Sequence, residues 1–91
     1  MRNVAIIISD YEDANKKKII RKLSCALMSY YNVFLFLVGN NEIENDYAGQ
    51  IVHIEGADPF YEYSLMINKQ KYNISVTISI SKEMNFINVR S

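Results

Sequence analysis

The chain has 91 residues, a length that allows one domain or less and excludes two domains with a cleft between them. Ten basic and ten acidic residues give a formal net charge of zero, which removes the usual electrostatic case for nucleic acid as a partner. Cys25 is the only cysteine, so an intramolecular disulfide and a thiolate metal cluster are both excluded.

The first third of the chain predicts a strand, a helix and a second strand. The apolar runs 4–8 and 33–38 are continuous, as is typical of parallel strands buried on both faces. Asp10 is the expected N-cap of the helix, with Asp13 three residues later. The stripe expected to face the core comprises Ile19, Ile20, Leu23, Leu27, Tyr30 and Tyr31, with Cys25 as a small core residue beside it. The expected solvent side comprises Lys16, Lys17, Lys18, Arg21 and Lys22.

The rest of the chain predicts a third strand, a second helix and a fourth strand. A loop beginning at Gly39 leads to an ambiguous polar stretch, and the run 51–54 reads as the third strand. Asp58 and Pro59 are the expected N-cap and first-turn proline of a helix that ends near Gln70. Tyr61, Leu65 and Met66 are expected to point from this helix toward a core.

In the run 74–80, Ile74, Val76, Ile78 and Ile80 alternate with Ser or Thr, which indicates a strand covered on one face. Residues 82–91 are expected to form a polar loop.

The element order β-α-β-β-α-β fits two architectures over residues 1–91. One is an α/β Rossmann-like half-domain with a parallel sheet, which we expect as a single, partial domain. The other is an α+β ferredoxin-like fold, in which the second and third strands are antiparallel. The continuous second strand favours the first, whereas the alternating fourth strand suits either.

Polar segments follow each strand, where parallel sheets bind ligands. They are 9–11, 39–41, 55–58 and 81–83, and each is more simply interpreted as an ordinary capping turn, because no G-x-G-x-x-G pattern is present. His53, the only histidine, is expected to be packed or half-exposed in its strand. The acidic residues Asp10, Glu12 and Asp13 suggest a receiver-like regulatory domain, but Glu55 stands where a receiver needs its phosphorylatable aspartate. No metal site and no cofactor are expected.

The most specific pattern lies between Tyr63 and Ser91. A helix with Tyr63 and Leu65 leads to the strand opening Asn73-Ile74-Ser75-Val76, then to Phe86 in a loop and to Arg90-Ser91. This run resembles part of the C-terminal donor-binding domain of GT-B type glycosyltransferases (group 1, family 4-like), in which Lys-Ser usually stands at the position of Arg90-Ser91. The resemblance implies a fragment or lone module that binds a nucleoside-diphosphate sugar, from surface polysaccharide or glycan biosynthesis.

The same resemblance implies a substrate site. Arg90 would neutralise the diphosphate, Ser91 would bond a phosphate, Phe86 is the loop aromatic, and Ser9 would lie near the same crevice. No catalytic residue is implied, because the acceptor domain and the end of the donor site are absent, so enzymatic activity stays open. The alternative is a small non-enzymatic regulatory or binding protein with a ferredoxin-like or receiver-like fold.

Location and assembly follow from the same sequence. No apolar run reaches the about 18–20 residues of a membrane span, and the first apolar run is too short for a signal peptide. A cytoplasmic protein without a transmembrane segment is therefore expected. Self-association through an exposed sheet edge is expected of a partial domain.

Overall fold

The computed structural model describes residues 1–9, 14–39, 49–80 and 87–90. In these ranges the chain is a mixed α/β protein with five strands and two helices. The elements in chain order are β1 (Arg2–Ser9), α1 (Ala14–Leu27), β2 (Tyr31–Val38), β3 (Gln50–Ile54), α2 (Phe60–Lys71), β4 (Val76–Ile80) and β5 (Ile87–Arg90).

The strands form one sheet in the order β3-β2-β1-β4-β5. β1 pairs in parallel with both β2 and β4, and β2 pairs in parallel with β3, with Val38 opposite Ile54. The ferredoxin-like alternative requires β2 and β3 to be antiparallel, so the observed pairing departs from that requirement. Parallel strands need crossover connections, and α1 supplies the one between β1 and β2.

β5 is an element that the sequence pattern does not predict, because residues 82–91 read as a polar loop. Residues 87–90 instead pair antiparallel with β4, from Ile80 opposite Ile87 to Thr77 opposite Arg90. The unpaired backbone groups on the outer side of β4 provide hydrogen-bonding partners that no local sequence pattern reveals. The edges of the described sheet are therefore β3 and β5.

The two helices cover opposite faces of the sheet. Ile20 of α1 packs in a cluster with Ile6 and Leu35, and Ile80 of β4 belongs to the same cluster. On the other face, Tyr61, Leu65 and Tyr72 pack against a cluster whose members are Ala5, Ile7, Phe34, Phe36, Val52 and Ile54. Burial on both faces explains why the apolar runs of β1 and β2 are continuous rather than alternating.

Four of the six residues of the predicted stripe pack as expected: Ile20 is buried, and Leu23, Leu27 and Tyr31 pack against the same cluster. Lys16, Ile20 and Ser24, spaced four apart, are buried, with Lys16 only 4% exposed. Ile19 and Tyr30 are exposed, and so is Cys25, which is therefore not the small core residue expected. Because Ile19 and Ile20 are neighbours, either of two adjacent faces of α1 could pack on the sheet. Lys16 can be buried because the aliphatic stem of a lysine covers apolar surface. Packing against β1 and β2 selects the face centred on Ile20.

α2 also differs from expectation at its start and on one side. Pro59, not Asp58, precedes the first helical residue, and no side chain caps the helix. Met66 is 49% exposed rather than buried, whereas Tyr61 and Leu65 pack on the sheet as expected. The helix ends at Lys71, and Asn73 takes a positive φ of 51° just beyond it, consistent with the predicted break. Ile74 packs on the α2 face, unlike Ile80, although the alternation predicts both on one face.

Candidate functional site

A cavity of about 430 Å3 opens at the carboxyl ends of the parallel strands. Strand residues and the segment between β3 and α2 line it together: Ile7, Ser9, Val38, Gly56, Asp58, Tyr61, Ser79 and Ile80. Its volume lies within the range of about 300–1,000 Å3 that is usual for small-molecule sites. It is the described cavity whose position agrees with where parallel sheets bind ligands.

The connectivity explains why a crevice forms here. After β1 the chain crosses to β2 by way of α1 on one face, whereas β4, on the other side of β1, is reached by way of α2 on the opposite face. The connections on the two sides of β1 therefore leave the sheet in opposite directions, which opens space between β1 and β4. Ile7 lies opposite Ser79 at this junction.

The polar side chains among the described lining residues carry three hydroxyls and one carboxylate. Ser9 and Ser79 are half-buried at the ends of β1 and β4, Tyr61 lies in the first turn of α2, and Asp58 is exposed in the preceding loop. Hydroxyls both donate and accept hydrogen bonds, whereas a carboxylate only accepts. This set of side chains can exchange hydrogen bonds with the hydroxyl groups of a ligand, and the Asp58 carboxylate would repel an anion.

Tyr61 remains a hydrogen-bond donor at neutral pH. Burial raises the pKa of the Tyr61 phenol above its ordinary value, and the negative charge of Glu62 raises it further. A half-buried ring with a protonated hydroxyl offers both an apolar face and a donor to a ligand. Tyr61 also packs against the core cluster of the α2 face, so its ring position is fixed by the fold.

Four backbone N–H groups donate hydrogen bonds that hold the segment between β3 and α2 in place. The carbonyl of Ala57 accepts from the N–H groups of Phe60 at 2.9 Å and Tyr61 at 3.1 Å. The carboxylate of Glu55 accepts from the Ala57 N–H at 3.1 Å, and the Ser64 hydroxyl accepts from the Glu55 N–H at 3.2 Å. These bonds position Asp58 at the rim without any contribution from its own carboxylate.

Two glycines allow the loops after β2 and β3 to approach each other. A Cβ on Gly56 would lie 3.2 Å from the Cα and the N of Gly39, closer than an ordinary van der Waals contact. Gly39 itself has a φ of 89°, and its N–H donates to the carbonyl of Ile54 at 3.0 Å. This close approach forms one wall of the cavity, since Gly56 and Val38 both line it.

The structure describes two of the four residues that the resemblance assigns to one substrate site, Ser9 and Arg90. Ser9 lines the cavity, but the Cα of Arg90 lies opposite Thr77, which is level with Ala5 rather than with Ser9. Ala5 and Ser9 are four residues apart, which corresponds to about 13 Å along β1. β5 lies two strands away from β1, which adds about 10 Å across the sheet. Arg90 is exposed, and Ser91 and Phe86 lie outside the described residues. The described residues therefore do not bring Arg90 beside Ser9.

Other sequence candidates lie away from the cavity. His53 is exposed on the edge strand β3, and Asp10, Glu12 and Asp13 are outside the described residues. Within the described ranges no group of three or more His, Cys, Asp or Glu side chains is placed to hold a metal ion. Neither α1 nor α2, the described helices, is long and apolar enough to cross a membrane.

Sequence reasoning missed Ser79 and Tyr61 as lining residues. The alternation in β4 shows that Ser79 shares a side with Thr77, but not that this side faces the cavity. The sequence predicts only core packing for Tyr61, whereas the structure shows that Tyr61 both packs against the core and lines the cavity. Segment 55–58 is predicted to lie at the carboxyl edge, which is where Gly56 and Asp58 are found.

Comparisons of the chain with protein-family models, with curated proteins and with solved structures returned no match. The shape of the cavity and the chemistry of its lining residues are therefore the basis for assigning a function. The lining side chains can donate and accept hydrogen bonds and offer one aromatic ring.

Proposed function

We propose that the chain is a Rossmann-like module that binds a nucleoside-diphosphate sugar, akin to part of the donor-binding domain of GT-B type glycosyltransferases. The strand order 3-2-1-4-5 supports this, because it reproduces the start of the order usual in doubly wound nucleotide-binding sheets. The antiparallel β5 is a departure from that pattern. A receiver-like function has less support, since in that order β1 lies between β2 and β3, whereas here it lies between β2 and β4.

The observation that carries the proposal is the cavity at the carboxyl ends of β1 and β4. Asp58 would accept hydrogen bonds from vicinal hydroxyls of the ribose or the sugar. Ser9 and Ser79, on neighbouring strands, would bond further hydroxyls, and Tyr61 would offer its ring to a base or a sugar face. The Asp58 carboxylate would repel phosphate, so the cavity would hold the hydroxyl-bearing part and not the diphosphate.

The cavity residues would bind the ligand without taking part in a catalytic step. Charge on a departing diphosphate needs a cation or oriented donors beside it. The sequence resemblance gives that role to Arg90, whose Cα lies away from the cavity along and across the sheet. The proposal therefore assigns to Ser9, Ser79, Asp58 and Tyr61 the recognition of hydroxyl groups only.

Isothermal titration calorimetry of the full chain tests the proposal. The titrants are UDP-glucose, GDP-mannose, UDP and uridine, and we expect a nucleoside-diphosphate sugar to bind more tightly than its parent diphosphate. Asp58→Asn should weaken that binding roughly tenfold or more, since hydrogen bonds to a charged group contribute about 1.5–3 kcal/mol. Ser79→Ala should weaken it by a smaller factor.

Two matched variants control for charge and for hydroxyl loss. Glu62→Gln removes one exposed carboxylate close to Asp58 in sequence but outside the cavity. Ser29→Ala removes an exposed hydroxyl from the turn after α1. Both should bind like the wild type. If no nucleotide sugar binds, or if Asp58→Asn and Glu62→Gln bind equally well, the proposal is wrong.

A further inference from the structure

Four large apolar side chains lie on the side of α2 that faces away from the sheet, with the exposed Gln70 among them. Phe60 is 61% exposed, Tyr63 62%, Met66 49% and Ile67 38%, and we call these four residues the outer face of α2. The last three lie three, six and seven positions after Phe60 along a helix of 12 residues, so the four share one side. Large side chains of this kind, contiguous on one helix, are more than the scattered surface hydrophobics of an ordinary monomer.

The outer face is not a consequence of loose packing on the inner side. Tyr61 and Leu65 make that inner contact, packing against the buried cluster of the α2 face. The exposed fractions of the four outer residues correspond to about 400 Å2 of side-chain surface, within the size of patches that are often functional. This surface is continuous with a groove of about 420 Å3, which Met66 lines together with Leu65 and Ile74.

The charges beside the outer face are arranged with opposite signs at its two ends. Glu62 and Lys69 both line the groove, so they lie on the same flank of α2. Glu62 is in the first turn and Lys69 is in the last turn. A second α2 running antiparallel, related by a two-fold axis perpendicular to both helices, would place Glu62 opposite Lys69 twice. A parallel pairing about a two-fold axis along the helices would instead place this flank of the two copies on opposite sides of the contact, where Glu62 and Lys69 do not meet their counterparts.

We propose that two copies of this chain associate through the outer face of α2, with the helices antiparallel and Glu62 of each copy facing Lys69 of the other. The four apolar residues then become buried in a self-complementary contact, as two-fold symmetry requires. The apolar surface from both copies, with its polar flanks, would reach only the lower limit of about 1,000 Å2 for specific interfaces. A reversible dimer of roughly micromolar affinity is therefore expected, and it forms through a helix face rather than through the sheet edges β3 or β5.

Analytical ultracentrifugation over a concentration series of the full chain gives the dissociation constant. Glu62→Lys and Lys69→Glu should each weaken self-association about tenfold, because either change turns two attractive contacts into two repulsive ones. The double variant Glu62→Lys/Lys69→Glu should restore the wild-type constant. Lys22→Glu, which makes the same charge change as Lys69→Glu at an exposed position on α1, should have no effect. Tyr63→Ser and Ile67→Ser should each raise the constant at least tenfold.

The two single variants also test the direction of the helices. In a parallel contact Glu62 and Lys69 of one copy do not face those of the other, so neither Glu62→Lys nor Lys69→Glu would weaken self-association. In the antiparallel contact both variants associate more weakly than the wild type. Equal constants for the wild type and both single variants would therefore exclude the proposed geometry.

Mixing the two single variants tests whether charges pair across the contact. The Glu62→Lys chain has two positive charges on this flank and the Lys69→Glu chain has two negative ones, so the mixture should associate more tightly than either variant alone. Cys25 is exposed on α1, on the other face of the sheet, and it accepts a fluorescent donor in one variant and an acceptor in the other. Energy transfer on mixing is the expected result. A wild-type chain that stays monomeric to roughly millimolar concentration, or a mixture without energy transfer, would overturn the proposal.

Discussion

Asn3 ties the amino end of β1 to two other elements, and its replacement by alanine should lower the free energy of unfolding by about 2 kcal/mol. Its side-chain Nδ2 donates to the carbonyl of Tyr72 at 2.8 Å, just past the end of α2. Its Oδ1 accepts from Nδ2 of Asn32 on β2 at 2.9 Å. The backbone carbonyl of Asn3 accepts from the N–H of Ser75, and this bond survives the substitution.

The magnitude follows from the environment of each bond. The bond to Tyr72 is partly buried and contributes about 1–1.5 kcal/mol, whereas the bond from Asn32 is exposed and contributes about 0.5 kcal/mol. Asn3→Asp keeps the acceptor for Asn32 but has no donor for the Tyr72 carbonyl. Asn3→Asp should therefore lose the larger share of the stability, although it differs from the wild type by a single functional group.

Equilibrium urea unfolding, followed by circular dichroism, measures these differences. Asn3→Ala should lower the urea midpoint by about 1–2 M, with an unchanged slope. Asn32→Ala removes only the exposed bond and should lower the free energy of unfolding by about 0.5 kcal/mol. If Asn3→Ala costs no more than Asn32→Ala, or if Asn3→Asp is as stable as the wild type, the Tyr72 bond does not have the role assigned to it.

Three further predictions concern backbone conformation, core packing and titration. Gly39→Ala should lower the free energy of unfolding by about 1–2 kcal/mol, because a φ of 89° is unfavourable for any residue with a Cβ; urea unfolding checks this. Phe36→Ala should cost about 3–5 kcal/mol in the same assay, since Phe36 is fully buried, whereas Tyr30→Ala at a largely exposed position should change stability by less than about 0.5 kcal/mol. The raised pKa of Tyr61 means that the unfolded chain loses its phenolic proton at lower pH than the folded chain, so stability should fall as pH rises above about 10. Thermal unfolding of Tyr61→Phe should show a shallower fall over that range, and an equal slope in both proteins would contradict the assignment.

The strands of the core could be predicted because their signal is local. The runs 4–8 and 33–38 correspond to β1 and β2, and each is buried at its centre on both sides of the sheet. The existence of α1 and α2 is equally clear from the spacing of apolar residues. The predicted face of α1 was confirmed at Ile20, Leu23 and Leu27 and was wrong at Ile19, because only contact with the sheet distinguishes the neighbouring positions 19 and 20.

The candidate site was less accessible to sequence reasoning. Ser9 is predicted to lie at a crevice because it follows a strand expected to be parallel, and it does line the cavity. The contribution of Ser79 depends on β4 lying beside β1, a pairing between segments about 70 residues apart. Arg90 is assigned to the same site by the resemblance, which gives order along the chain but not the direction of β5.

By itself, the sequence determined the two helices, the four strands β1 to β4, the order of these elements and a formal net charge of zero. These properties follow from periodicity within short windows and from composition, neither of which depends on distant residues. The tertiary structure alone decided the parallel pairing of β2 with β3 and the formation of β5. It also decided that α1 and α2 lie on opposite faces and that a cavity opens between β1 and β4. Each of these depends on hydrogen bonds and contacts between remote segments, whose cost in chain entropy is recovered only when the whole sheet assembles.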